Sequence, residues 1–106
     1  MSNKEIVDFT IEFREGVLCG ASPVMNCYKV SSPLSTMLTM MGVDNEIVEF
    51  EIDSSNWILK NPDADVVVHY CLKVGNKILD PTASQFKNMP DVFFGARPIW
   101  YNDPTD

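Results

Sequence analysis

The strongest restriction on the fold is a hairpin signal in the second half of the chain. Residues Val66–Val74 are dominated by β-branched and aromatic side chains, a composition typical of strands. The Gly75-Asn76 pair that follows suits a tight two-residue turn, so the chain should return along a second strand, Lys77–Asp80. Pro81 cannot donate a ladder hydrogen bond and ends that strand. The sequence therefore predicts an antiparallel β-hairpin.

The register of this hairpin determines which side chains share a face. A two-residue turn sets Val74 opposite Lys77, and therefore Cys71 opposite Asp80. Because side chains alternate between faces, His69 and Asp80 become diagonal neighbours on one face, about 7–8 Å apart at the backbone and within reach of a hydrogen bond. A four-residue loop would keep this register, whereas a three-residue loop would move Asp80 to the opposite face.

The main helix is predicted over Tyr28–Met41, where apolar residues recur at spacings of three and four. Pro33 complicates its start, because a proline inside a helix removes one backbone donor. Two starts are consistent with the sequence. Either the helix opens near Cys27 and kinks, or Ser32 caps a helix whose first residue is Pro33.

The remaining patterns complete an α+β domain. Residues Phe9–Phe13 alternate apolar and polar, which favours a strand, although they also fit a short helix. Further strands are predicted at Val48–Ile52 and Ile99–Tyr101, and loops at Gly16–Asn26, Ser54–Asp65 and Met89–Pro98. We therefore expect residues 1–106 to form one domain, with one principal helix packed on an antiparallel sheet.

Charge and cysteine usage limit the partners and the compartment. Eight Lys and Arg against fifteen Asp and Glu give a net charge of −7, which disfavours nucleic acid and anionic membranes. Lys4, Glu5 and Asp8 stand where a secretory signal needs an apolar core. Three cysteines without a close pair suit reduced thiols better than a disulfide framework. These features predict a cytoplasmic protein and leave its oligomeric state open. No cofactor is expected.

A thiol at the start of the main helix completes a candidate catalytic set. Cys27 would lie at the positive end of the helix dipole, and a neighbouring imidazole would further favour its thiolate. Backbone N–H groups there would point at an oxyanion. His69 is the only histidine in the chain, and the Asp80 carboxylate could fix its tautomer. We therefore expect Cys27 as nucleophile, His69 as base and Asp80 as the group that orients the base.

Three segments carry a resemblance to a known superfamily. Asn26-Cys27-Tyr28-x-x-Ser31, His69-Tyr70-Cys71-Leu72-x-Val74 and Ile78-Leu79-Asp80-Pro81-Thr82-Ala83-Ser84-Gln85-Phe86 resemble the papain-like and transglutaminase-like cysteine enzymes, above all small bacterial and phage members. The resemblance spans Cys27 to Phe86. It implies a minimal papain-like fold and amide or ester hydrolysis, deamidation or acyl transfer, without a metal. The substrate would be a protein or peptide, or a small acyl compound, and Asn26 and Gln85 are candidate substrate-binding residues.

Other interpretations of the same residues stay open at this point. A catalytically inactive domain of this shape would act through protein contacts, using its acidic surface or its aromatic C-terminal segment. A zinc site is conceivable from thiolate, imidazole and carboxylate ligands, although no Cys-x-x-Cys pair is present. Thr82 and Gln85 could belong to a surface turn, and Cys19 and Cys71 could be buried as small apolar residues. The zinc ligands would be Cys27, His69, Cys71 and Asp80.

Overall fold

The chain was analysed as a computed structural model that describes residues 1–59 and 64–105. Two helices and a four-stranded antiparallel sheet of order β1-β2-β3-β4 account for the described regular structure, apart from two short 3-10 turns. The elements are α1 (Asn3–Leu18), α2 (Cys27–Met40), β1 (Glu46–Asp53), β2 (Val66–Val74), β3 (Lys77–Asp80) and β4 (Phe93–Gly95). The predicted α+β class, with a helix packed on an antiparallel sheet, is confirmed. Residues 60–63 of the loop predicted at Ser54–Asp65 lie outside the described residues.

The β2-β3 hairpin has the predicted register. Val74 pairs with Lys77 and Leu72 with Leu79. Gly75 has a φ of +61°, the left-handed conformation that the turn requires and that glycine adopts without steric cost. On its other edge β2 pairs with β1, so that Phe50 lies opposite His69. The hairpin is therefore the centre of the sheet, flanked by a strand on each side.

Both faces of the sheet are covered. Leu72 and Leu79 face the helices, whereas His69 and Cys71 face the opposite layer. The helix-side core consists of Ile6, Leu34, Leu38, Leu72, Leu79 and Val92. The other core consists of Phe50, Ile52, Cys71, Ile78, Phe86 and Tyr101. Burial on both faces explains the apolar residues Cys71 and Leu72 in β2, whereas Val66 and Val68 at its start are exposed.

The N-terminal segment is a helix, so the strand predicted at Phe9–Phe13 is wrong and the alternative of a helix there is correct. Ser2 caps α1 reciprocally with Glu5: the Glu5 N–H donates to the Ser2 hydroxyl, and the Ser2 N–H donates to the Glu5 carboxylate, both at 3.1 Å. The five residues Phe9–Phe13 fit both the strand period of two and the helix period of 3.6. The whole of α1, however, buries residues that lie four positions apart. These are Ile6, Thr10, Arg14 and Leu18.

Helix α2 begins at Cys27 and contains Pro33, which decides between the two predicted starts. Asn26 is the N-cap residue, and its carbonyl accepts the first intrahelical bond from the Val30 N–H at 3.1 Å. Pro33 has no N–H to donate to the preceding turn. The loss is offset by burial of the side chains that face the sheet, since Val30, Leu34 and Leu38 are completely inaccessible to solvent.

The fourth strand is β4, inside the segment predicted as a loop, and the strand predicted at Ile99–Tyr101 is wrong. Phe93 pairs with Asp80 and Phe94 with Leu79, so β4 covers the outer edge of β3. Tyr101 lies instead in a turn segment with its side chain fully buried. A strand of three residues is too short to show a period in sequence. Neither described helix is long and apolar enough to cross a membrane.

We expect the helix-side core to determine the stability of the whole chain. Leu38→Ala should lower the free energy of unfolding by about 2–5 kcal/mol, because a fully buried leucine leaves a cavity when it is truncated. Met40→Ala, at an exposed position of the same helix, should change it by less than about 0.5 kcal/mol. Urea denaturation followed by circular dichroism measures both. Equal effects of the two substitutions would contradict this assignment of the core.

Candidate active site

His69 and Asp80 form a hydrogen-bonded pair that is completely buried inside the sheet. The distance from His69 Nε2 to Asp80 Oδ2 is 2.6 Å, and neither side chain is accessible to solvent. The two residues belong to the neighbouring strands β2 and β3 and stand at the diagonal positions that the hairpin register predicts. Local sequence thus placed this pair correctly.

The Asp80 carboxylate is saturated by partners from distant parts of the chain. Oδ2 also accepts a hydrogen bond from the Tyr101 hydroxyl at 2.5 Å, and Oδ1 accepts from the Thr82 backbone N–H at 3.0 Å. Burial, followed by the Asp80 charge, raises the pKa of Tyr101, which keeps its hydroxyl a donor. Sequence analysis missed Tyr101 as a site residue, because nothing local links it to a carboxylate 21 positions away.

Gln85 occupies the other side of the imidazole. Its Nε2 lies 3.0 Å from His69 Nδ1 and 3.2 Å from the Thr82 hydroxyl oxygen. Because Asp80 can only accept from Nε2–H, the neutral ring accepts at Nδ1, and we assign the amide orientation of Gln85 from this network. Gln85 and Thr82 are buried. The alternative of a surface turn is therefore wrong for both residues.

Cys27 is the first residue of α2, is buried, and lies close enough to the His69 ring for each group to shift the pKa of the other. Burial alone would raise the pKa of the thiol. The hydrogen bond and positive charge of His69, together with backbone groups of Tyr70 and Tyr28, outweigh burial and lower the pKa below its ordinary value. The structure thus places Cys27 near the hydrogen-bonded pair of His69 and Asp80.

The pKa of His69 is shifted in the opposite sense. Burial alone would lower it, but the charge and hydrogen bond of Asp80, followed by those of Cys27, raise it to about 9. The raised pKa stabilises the fold at pH values below 6.5, and this contribution is lost as pH rises through about 9. The lowered pKa of Cys27 contributes with the opposite slope. Moving one proton from the Cys27 sulfur to the His69 imidazole leaves the number of bound protons unchanged, so the two effects of pH on the free energy of unfolding offset each other.

Aromatic rings surround the imidazole and keep water away from it. The Phe86 ring stands edge-on to His69 at a centroid distance of 4.8 Å, and the Tyr101 ring does so at 5.7 Å. Trp100 packs against both of these rings, at 5.5 and 4.7 Å. In such a dry environment the hydrogen bonds of the network are electrostatically stronger than they would be in water.

Helix α1 supports the loop that follows Asp80. The buried Arg14 guanidinium donates from Nε to the Pro81 carbonyl oxygen at 2.7 Å, and its Nη1 contacts the Glu15 carboxylate at the surface. The contact to Pro81 joins the first helix to the backbone next to Asp80. Since Arg14 belongs to a segment outside the region of resemblance, sequence analysis gave no sign of it.

The other predicted residues lie outside the group or belong to it only as neighbours. Asn26 donates from its side-chain amide to the Ser22 carbonyl at 2.6 Å, a local loop contact. Cys19 is exposed, so its interpretation as a buried apolar residue is wrong, whereas Cys71 is fully buried as predicted. Burial, with the Asp80 charge, raises the pKa of Cys71 well above its usual range.

A metal reading rests on three of the four proposed ligands. His69, Cys71 and Asp80 offer ligand atoms within 4.8 Å of one another among the described residues. His69 Nε2 and Asp80 Oδ2 already share a 2.6 Å hydrogen bond, which an ion bound through those two atoms would have to break. The buried Cys71 would also have to lose its proton, against the raised pKa. Hydrogen bonding and protonation both oppose metal binding at this set.

Comparison with protein-family models, with curated proteins and with solved structures finds no match for this chain.

The single histidine allows a direct test of the site's electrostatics. We expect the His69 ring to titrate near pH 9 in an NMR titration of the folded protein, because two partners favour its charged form. Asp80→Asn and, independently, Cys27→Ala should each lower this pKa, since each removes one of those partners. A wild-type value at the ordinary 6.5 would contradict the arrangement.

Proposed function

We propose that this protein performs thiol-dependent acyl chemistry, in which Cys27 attacks an amide or ester carbonyl. The proposal is supported above all by one observation: the buried Asp80 carboxylate holds the His69 imidazole at 2.6 Å, and Gln85, bonded to the other ring nitrogen, lines the same groove as Cys27. The lowered pKa of Cys27 agrees with this placement. Such a set provides a nucleophile, a proton carrier and an orienting group in chain order Cys27, His69, Asp80. The same order underlies the resemblance to papain-like and transglutaminase-like enzymes, and we infer membership in that superfamily.

The first half-reaction forms an acyl-enzyme. With the proton on His69 Nδ1, the Cys27 thiolate attacks the carbonyl carbon, a C–S bond forms and the carbonyl electron pair moves onto oxygen. When the carbonyl reforms, the bond to the leaving group breaks, and that group takes the proton from Nδ1. The product is a thioester on Cys27 beside a neutral His69, whose Nε2–H remains bonded to Asp80.

The second half-reaction returns the thiol. His69 Nδ1 accepts a proton from the acceptor, water for hydrolysis or an amine for acyl transfer, as the acceptor attacks the thioester carbon. The C–S bond then breaks and leaves the thiolate beside the imidazolium. Hydrolysis, deamidation and acyl transfer share this scheme, and they differ only in the leaving group and the acceptor.

Gln85 is suited to stabilise the oxyanion in step with these proton transfers. When His69 is neutral, as in the acyl-enzyme, the Gln85 amide donates to His69 Nδ1 and to the Thr82 hydroxyl oxygen. Once Nδ1 carries a proton it cannot accept, which releases one N–H of Gln85. Both tetrahedral intermediates form while His69 is charged, and Gln85 lines the same groove as Cys27. Backbone N–H groups at the start of α2 supply further donors.

The proposed substrates are proteins or peptides, or small acyl compounds, rather than nucleic acids. The net charge of −7 repels a polyphosphate backbone. An inactive binding module is the alternative, and it does not require a lowered pKa at Cys27.

Selective alkylation tests the proposal. At pH 7 iodoacetamide should modify Cys27 about ten times faster than Cys19, because an ordinary thiol is only a few per cent ionised there. Cys71 should remain unmodified in the folded protein because it is fully buried. His69→Gln should remove the advantage of Cys27 at pH 7, and Cys27 should then react appreciably only as pH approaches the ordinary range of a thiol. Peptide mapping by mass spectrometry gives the three rates.

Cys19→Ser is the matched control, since it removes an exposed thiol without touching the site. Equal rates at Cys27 and Cys19, unchanged by His69→Gln, would favour the binding module. Stoichiometric zinc in elemental analysis, with Cys27 protected from alkylation, would favour the metal site.

A second prediction concerns Gln85. Gln85→Met should lower kcat/KM for ester hydrolysis about 100-fold, the usual effect of losing an oxyanion donor. Alkylation by iodoacetamide passes through no oxyanion. If Gln85 acts as an oxyanion donor, the alkylation rate at Cys27 should therefore stay within about threefold of wild type. Ser84→Ala, the adjacent position, should leave both rates unchanged. Parallel losses in hydrolysis and alkylation would assign Gln85 a structural role instead.

A further inference from the structure

A groove of about 450 Å³ leads from the surface to Cys27. Gln85 lines it as well, so the residue that carries the nucleophile and the residue proposed as oxyanion donor border the same groove. Its volume lies within the range of about 300–1,000 Å³ usual for small-molecule sites. The other lining residues are Met25, Tyr28, Trp57, Ala64, Val66, Val67, Val68 and Tyr70.

The groove is apolar and carries no charge among the described residues that line it. Tyr28 of α2 and Tyr70 of β2 form one wall, with their rings edge-to-face at a centroid distance of 5.1 Å. Glu49, which accepts a hydrogen bond from the Tyr70 hydroxyl at 3.2 Å, lies outside the lining. In a protein of net charge −7, an uncharged path to the nucleophile selects for uncharged ligands.

The rim of the groove is also apolar. Met25, Tyr28, Val66 and Val68 are exposed although each is a large hydrophobic residue. An exposed group of this kind around a concave site marks a place where apolar surface is buried on binding. The gain from burial is proportional to the apolar area of the ligand.

We propose that the groove binds the acyl group of the substrate, and that this group is an uncharged aliphatic or aromatic chain. The inference rests on the proposed function and adds the substrate class to it. The acyl group is the part that stays on Cys27 after the leaving group departs, so the surface next to the sulfur is where its chain must lie. A charged acyl group would lose its hydration there without gaining a partner.

Chain length provides the kinetic test. In p-nitrophenyl esters from acetate to butyrate to hexanoate, kcat/KM should rise about threefold to fourfold per added methylene, the factor that corresponds to burying one such group. The leaving group is constant, so the trend reports on the acyl side alone. The monosuccinate ester should react more slowly than the butyrate, since its acyl chain is charged.

Two strand variants separate the groove from the rest of the surface. Val68→Asp introduces a charge into the lining and should abolish the rise with chain length. Ile47→Asp makes the same change on β1, at a position 36% exposed against 49% for Val68, and should keep the rise. Circular dichroism and thermal unfolding verify that both variants fold. A flat length series in the wild type, or loss of the trend in both variants, would overturn the inference.

Labelling with N-phenylmaleimide and N-ethylmaleimide tests the groove without any turnover. The ratio of the two rates at Cys27 should exceed the ratio at the exposed Cys19 of the same molecule by about tenfold, as expected if the ring is buried. Rapid reaction of Cys27 with iodoacetamide but equal maleimide ratios would overturn the groove assignment and leave the proposed function intact. A slow, unselective Cys27 with a raised ratio would support the groove and refute the proposed chemistry. No reaction of Cys27 with either maleimide would also overturn the assignment.

Discussion

The buried carboxylate of Asp80 is the group on which the rest of the arrangement depends. A charge without solvent is tolerated only when hydrogen bonds and an opposite charge replace its hydration, and removal of one partner from a buried pair commonly costs about 3–5 kcal/mol. Here β2 supplies His69, the C-terminal segment supplies the Tyr101 hydroxyl, and the following turn supplies the Thr82 N–H. From α1, Arg14 secures the adjacent Pro81 carbonyl. The contacts to Asp80 and to its neighbour Pro81 therefore connect α1, the central hairpin and the C-terminal segment.

The two faces of the sheet have different roles: one packs the main aliphatic core, and the other holds the candidate site. Its helix-facing side is an aliphatic core, distinct from the cluster of Phe86 and Tyr101 on the other side. The opposite side holds His69 and Asp80 under aromatic rings that exclude water. Cys27 lies near the ring because α2 begins where β2 passes it. The Ser31 hydroxyl donates to the Tyr70 carbonyl across the same junction at 3.3 Å. The thiol thus meets the base at the boundary between the two layers, next to the open groove.

The parts of the site that sequence predicted correctly depend on local rules. The Gly75-Asn76 turn sets the register, and alternation then places His69 and Asp80 on one face. The apolar period located α2, and the structure then decided its start at Cys27. The misassigned strand at Phe9–Phe13 arose because a five-residue window fits both periods, and only the longer spacing from Ile6 to Leu18 decides for a helix. The edge strand Phe93–Gly95 forms because β3 needs a partner for its outer edge, a requirement that no local pattern shows.

The sequence by itself determined the fold class, the central hairpin and the pairing of His69 with Asp80, because these follow from turn chemistry and from periods of two and 3.6 residues. Only the tertiary structure decided how that site is completed. Tyr101 and Arg14 reach Asp80 and its loop from opposite ends of the chain, Gln85 turns inward to His69, and Asn26 turns away to Ser22. The physical reason is that a buried polar group must find partners wherever packing brings them, and such contacts leave no trace in sequence spacing.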